Sequence, residues 1–202
     1  LQCAGGRDTL SLWNLGADAV VGVDFSPRML DLARQLTLAT GAPATWVEAD
    51  VLDVPHELDG SADLLYTGRG AIIWLQDLDA WAAVLRRLLA PGGRLVITDM
   101  DRHEHEWMRA EMADEWLGFE RAQVKQWLRD AGLVNVLVAC SNQSCCATSQ
   151  EAPESRAKIS VFVATGTRPV AGSRAAVQAN YGTLAEATLN KNAPSSCCGA
   201  SA

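Results

Sequence analysis

The sequence predicts an α/β protein built on a doubly wound, mostly parallel sheet. Three observations carry that expectation. Strand-like and helix-like segments alternate over the first ~100 residues, the pattern of a parallel sheet covered by helices. A glycine turn, Ala4-Gly5-Gly6, separates a strand end from a helix start, and a short apolar strand ends in Asp24 roughly 20 residues on. Pro91-Gly92-Gly93 then punctuates the chain before a further apolar run.

Each element has a local reason. Asp8 or Thr9 starts a helix through Gly16, with Leu10, Leu12, Trp13 and Leu15 as its apolar residues. Ala19 to Val23 is an apolar strand. Ser26 is an N-cap with Pro27 in the first helical position, and that helix stops before Gly41. Ala44 to Glu48 and Ala62 to Tyr66 read as strands, and Asp77 to Leu89 as a helix with Trp81, Val84, Leu85 and Leu88 turned inward. Arg94 to Thr98 is the strand after the Pro-Gly-Gly turn. Glu120 to Ala131 is an amphipathic helix closed by Gly132, followed by a strand from Val134 to Ala139. Ser141 to Ser155 is polar and reads as a loop, and Lys158 to Ala164 alternates as a final strand. Beyond it the composition drifts to Ala, Ser, Asn and Gly, with one helix expected from Gly172 to Leu189. A boundary near Arg168-Pro169 divides a domain of residues 1–168 from a tail of residues 169–202.

The 202 residues allow one sizeable domain and an appendage. With 24 acids against 17 Lys and Arg the net charge is −7, and no basic stripe exists to hold nucleic acid or an anionic membrane. No apolar run is long enough to span a bilayer and no signal peptide is visible, so a cytoplasmic protein is expected. The sequence opens at Leu1, inside the turn, which predicts a piece of a longer protein that lacks most of its first strand here.

The turn and the acid at Asp24 predict a nucleoside-containing cofactor, because backbone N–H groups approach a ligand at the turn and the acid accepts ribose hydroxyls. A nicotinamide fingerprint requires G-x-G-x-x-G and a P-loop requires Gly-Lys-Ser/Thr; both spacings are absent. Residues 1 to about 100 resemble the class I S-adenosylmethionine-dependent methyltransferases. The resemblance rests on Leu1-Gln2-Cys3-Ala4-Gly5-Gly6, Val21-Gly22-Val23-Asp24, Glu48-Ala49-Asp50-Val51 and Leu88-Leu89-Ala90-Pro91-Gly92-Gly93, in order and at the family's spacing. It implies a Rossmann-like sheet of seven strands with the last antiparallel, and S-adenosyl-L-methionine as cofactor. Gly5, Gly6, Asp24, Phe25, Asp50, Val51 and Thr67 are then the implied cofactor-binding residues. The implied acceptor pocket lies at Tyr66-Thr67-Gly68-Arg69-Gly70-Ala71, with Tyr66, Arg69 and Trp74 as wall residues. Gln2 and Ala4 stand where the family commonly has glycine, and Ala4 costs little if its φ is negative.

The cysteines supply a second clue. Cys3 sits in the turn and reads as a small buried residue; Cys140, Cys145, Cys146, Cys197 and Cys198 read as thiol or soft-metal residues. Three thiolates can hold trivalent arsenic. The tail from Arg174 to Gly199 resembles the leader of arsenite methyltransferases, and Asp99 to Val136 resembles methyltransferase domains fused to arsenic-responsive regulators. Those resemblances imply arsenite as the leading acceptor, Cys140, Cys145 and Cys146 as catalytic residues, and all five cysteines as metalloid ligands. Two alternatives stay open: methylation of a small organic acceptor with incidental cysteines, and a non-catalytic metalloid-sensing module. The expected partners are a small molecule or metalloid and fused domains upstream or downstream, without nucleic acid or membrane. His103, Glu104, His105 and Glu106 read as a solvated helix start, since i, i+2 spacing points side chains apart on a helix.

Overall fold

A computed structural model describes residues 1–172, and its helices begin and end where local chemistry demands. Helix α1 (Arg7–Asn14) follows Gly6. Strand β1 (Val20–Asp24) leads to α2 (Pro27–Thr40), where the Ser26 hydroxyl accepts from Met29 N and Gly41, at φ +69°, ends the helix. Strands β2 (Ala44–Glu48) and β3 (Ala62–Thr67) precede α3 (Leu78–Leu88), capped by the Asp77 carboxylate accepting from Ala80 N. Strand β4 (Leu89–Met100), α4 (Trp107–Met112), α5 (Arg121–Asp130), β5 (Val134–Thr148) and β6 (Arg156–Thr167) complete the described chain.

The strands form two sheets. β1 and β2 pair in parallel, and a four-stranded sheet runs in the order β3-β4-β6-β5. β3 and β4 are parallel, whereas β6 is antiparallel to both β4 and β5. The α/β class and the antiparallel last strand agree with expectation; a single seven-stranded sheet does not. Residues 1–3 lie between β1 and β3: Cys3 N donates to Val23 O at 3.0 Å and Leu1 N donates to Tyr66 O at 2.7 Å. One hydrogen bond to each neighbour makes no ladder.

Helices α1 and α2 pack together on the first sheet, and α3 and α5 pack together against the second. The main core gathers Leu85, Leu89, Leu95, Ile97, Phe162 and Ala164, all essentially excluded from solvent. The four residues expected to face inward from α3 are all buried. A smaller cluster of Leu10, Val20 and Ala42 sits under α1 and the β1–β2 sheet.

Three expectations change. Pro91-Gly92-Gly93 lies within β4 as an irregularity, with Gly92 at φ +84° and a register shift opposite Ala62–Leu64. Ser141 to Thr148 is not loop but the second half of β5, on which Cys145 pairs with Ile159 and Cys146 with Lys158. β5 is the edge of its sheet, so polar side chains cost nothing on its solvent side and conceal the strand from a composition argument. The His103–His105 stretch is irregular, the helix α4 starting only after a turn at Glu106, and His103 is half-buried with its backbone N–H donating to Leu117 O. The helix expected from Gly172 to Leu189 lies outside the described residues.

Candidate cofactor and acceptor site

The opening turn is built from alternating left-handed residues: Gln2 at φ +51°, Ala4 at +44° and Gly6 at +77°. A non-glycine residue in this region costs about 1–2 kcal/mol, so Ala4 does not escape the penalty through a negative φ. Gly6 is required on two grounds. Beyond its φ, a Cβ there would collide with the Trp46 ring and lie 2.8 Å from Ala33 Cβ. Gly5 differs, because a Cβ there would meet nothing nearer than Leu32 Cβ at 3.9 Å. The turn is therefore tight on its inner side and open on its outer side.

Asp24 ties this turn to the next helix. Its carboxylate, 8% exposed, accepts from Ala4 N at 2.7 Å through Oδ2 and from Ser26 N at 3.0 Å through Oδ1. Each oxygen keeps a further acceptor position. Trp46 supports the arrangement from below, its indole N–H donating to Thr37 Oγ1 at 2.9 Å. Burial first, and then the Asp24 carboxylate, push the Cys3 thiol up to about 11, which disfavours its thiolate. At the end of β2, the exposed Asp50 accepts from Leu52 N at 2.8 Å, while the Val51 side chain enters the main core. Phe25 stands at the end of β1 with 74% of its surface exposed.

These residues fit S-adenosylmethionine. The open side of the turn lets backbone approach the cofactor, Asp24 retains acceptor capacity for ribose hydroxyls, and Asp50 and the Phe25 ring offer an acid and an apolar face for adenine. Thr67, also implied as a cofactor-binding residue, reaches the turn through Gln2. It is fully buried and its hydroxyl donates to Gln2 Oε1 at 3.2 Å.

On the acceptor side, the loop after β3 passes through two left-handed residues, Arg69 at φ +64° and Gly70 at +73°. The Arg69 guanidinium pairs with Asp8 at 3.0 Å, and the Tyr66 hydroxyl lies 3.4 Å from Thr98 Oγ1. Trp74 is 55% exposed, and its indole N–H donates to Asp114 Oδ1 at 3.3 Å. Sequence reasoning singled out Tyr66, Arg69 and Trp74 but missed Gln2 as a contact, Asp99 and Asp114. Asp99, at the end of β4, is 1% exposed and accepts from Ile72 N at 3.0 Å and Met100 N at 2.7 Å. Burial pushes its carboxyl up to about 7; the two backbone donors pull the other way, and nearby Asp114 adds to the rise. Asp114 is 4% exposed, and its Oδ2 has no hydrogen-bond partner among the described residues. An acid closing an apolar run, Leu95 to Asp99, was the available signal for Asp99.

The cysteines are not gathered. Cys145 and Cys146 are consecutive on β5, so their side chains leave opposite faces of the strand. Cys140 is exposed, across a bulge at Asn142 (φ +59°). Among the described residues no group of three His, Cys, Asp or Glu side chains could hold a metal ion. Cys140, Cys145 and Cys146 therefore form no trigonal thiolate site by themselves, and Cys197 and Cys198 lie outside the described residues. Burial, then Cys146, Asp114 and Asp99, raise the Cys145 thiol above its usual range, which disfavours the thiolate.

Fold and turn together are similar to those of class I S-adenosylmethionine-dependent methyltransferases. Comparison with known proteins agrees: residues 1–93 match the family model described as a methyltransferase domain. Demethylmenaquinone methyltransferase of Thermus thermophilus is 40% identical over 80 residues, 40% of this chain and 36% of that protein. Ubiquinone biosynthesis O-methyltransferase of Xanthomonas euvesicatoria is 27% identical over 144 residues, 65% of this chain and 59% of that protein. This chain thus spans between about a third and three-fifths of these two relatives' length. Among solved structures, phosphoethanolamine N-methyltransferase 2 of Haemonchus contortus bound to S-adenosyl-L-methionine shares the fold. The TM-score is 0.66 at 16% identity, covering 83% of this chain and 47% of that one.

Proposed function

We propose that the protein transfers the methyl group of S-adenosylmethionine to a small organic acceptor held over the C-terminal ends of β3 and β4. The observation that carries this reading is the Asp24 carboxylate, which closes the glycine turn through Ala4 N within the span that matches a methyltransferase domain. When bound, the cofactor supplies an electrophilic sulfonium methyl. The chain's own residues have positioning work: the turn and Asp24 hold the donor, while the loop from Gly68 to Trp74 shapes the acceptor side. Transfer of this kind gains chiefly from orientation and exclusion of water. Relatives named for quinone substrates make an aromatic hydroxyl or ring carbon the leading acceptor class. We take residues 1–168 as the catalytic domain; β6 ends at Thr167, just inside that bound. No described helix is long and apolar enough to cross a membrane.

Calorimetric titration with S-adenosylmethionine tests the reading. The wild type binds, and Asp24→Asn weakens binding by about tenfold to a hundredfold, since one charged hydrogen-bond acceptor is lost. Absence of binding by the wild type refutes methyl transfer and favours a sensing module.

The paired cysteines of the sequence, Cys145-Cys146 and Cys197-Cys198, keep arsenite as a second reading. Radiolabelled cofactor offered with arsenite and, separately, with a panel of catechols and quinols decides between them. Methylated arsenic that disappears in a Cys145→Ser, Cys146→Ser double variant establishes the arsenic reading and overturns the organic one.

A further inference from the structure

We infer that Gln2 is a positioning residue that couples the cofactor turn to the acceptor loop, so that cofactor binding orders the acceptor side. The inference rests on the methyltransfer reading. Its basis is one side chain serving two elements. Gln2 Nε2 donates to Ala71 O at 2.8 Å, and Gln2 Oε1 accepts from Thr67 Oγ1 at 3.2 Å. Both partners are buried, Thr67 completely. The Ala71–Ile72 peptide is consequently gripped at both ends: its carbonyl by the Gln2 amide, its N–H by Asp99 Oδ2 at 3.0 Å.

Two features argue that this grip is more than packing. Gln2 occupies a left-handed φ of +51° that glycine adopts without strain, yet only a side chain longer than glycine's can reach the loop. The loop itself contains consecutive left-handed residues, Arg69 and Gly70, and lies outside any helix or strand until Ile72. Its anchors are therefore side chains. A donor molecule seated on the turn holds the Gln2 backbone, and through the amide it holds Ala71. Binding is thus ordered, cofactor before acceptor.

Glutamine suits this role in a way its nearest neighbours do not. Glutamate keeps the size and can accept from Thr67, but an ionised carboxylate has no proton for Ala71 O. Glycine keeps the backbone conformation and removes both contacts.

Hydrogen exchange at the Ile72 amide, with S-adenosylhomocysteine as the probe ligand, tests the inference in the full chain. Without ligand, Gln2→Gly speeds Ile72 exchange about tenfold, the loss expected of two neutral hydrogen bonds, and Gln2→Glu speeds it by a smaller factor. A change under twofold in Gln2→Gly overturns the grip. With ligand, the wild type gains protection at both the turn (Gly5, Gly6) and Ile72, whereas Gln2→Gly gains it at the turn alone. Equal protection of Ile72 in the two proteins overturns the coupling. Ligand that protects neither turn nor loop in the wild type removes the methyltransfer reading, and the coupling with it, while leaving the ligand-free comparison to stand or fall separately.

Discussion

Asp99→Asn gives the sharpest test of the electrostatics at the end of β4. The carboxyl rises from the usual 3.8 to about 7 because folding removes it from water. Between those pH values the folded protein keeps the proton while the unfolded chain releases it, so stability falls as pH rises from about 4 to about 7. At ~1.4 kcal/mol for each tenfold in proton affinity, the full cost above pH 7 is about 4 kcal/mol. Roughly 1.5 kcal/mol of it is already present at pH 5, which leaves about 2.5 kcal/mol to develop between pH 5 and pH 8. Asparagine carries no charge and escapes this cost. Its single carbonyl, however, can serve only one of the two donors, Ile72 N and Met100 N, a loss of about 1.5–3 kcal/mol. The variant is therefore expected to be no more stable than wild type at pH 5 and more stable at pH 8. Urea unfolding at fixed ionic strength across this range measures both proteins. Parallel curves, with the difference between them constant to within about 0.5 kcal/mol, would refute the buried, proton-holding carboxyl, which is electrostatically coupled to Asp114 and Cys145.

Further outcomes follow from the turn and its support. Ala4→Gly relieves a left-handed φ of +44° while keeping the N–H that reaches Asp24; urea unfolding should show a gain of about 1 kcal/mol. Gly22→Ala drives a Cβ into the Trp46 ring and to 2.9 Å from Cys3 Sγ. A loss of about 1–3 kcal/mol is expected, with weakened S-adenosylmethionine binding in calorimetry because Trp46 also backs Gly6. Cys146 is exposed on the edge strand, so Cys146→Ser should change stability by less than about 0.5 kcal/mol. A larger loss in thermal unfolding would show that its thiol has a partner.

Much of the framework was legible because its causes are local. Ser26, Pro27 and Gly41 mark α2, Asp77 marks α3, and the apolar spacing of Trp81, Val84, Leu85 and Leu88 marks the buried side of α3. The failures share a different origin. The second half of β5 looks like loop because its residues are polar, and it is a strand because β6 supplies the hydrogen bonds. Cys145 and Cys146 look like a chelating pair, and strand geometry sends them apart. Gln2 looks like a defect in a glycine motif, and its amide finds a carbonyl 69 positions away.

By itself, then, the sequence determined the α/β class, the order of elements and the kind of cofactor. A turn, a cap or an acid at a strand end acts over a few residues and leaves its mark in the residue order. The tertiary structure alone decided the positive φ of Ala4, the grip of Gln2 on the acceptor loop and the high pKa of Asp99. Each depends on which distant groups surround a residue and how much water they exclude, and residue order does not encode that directly.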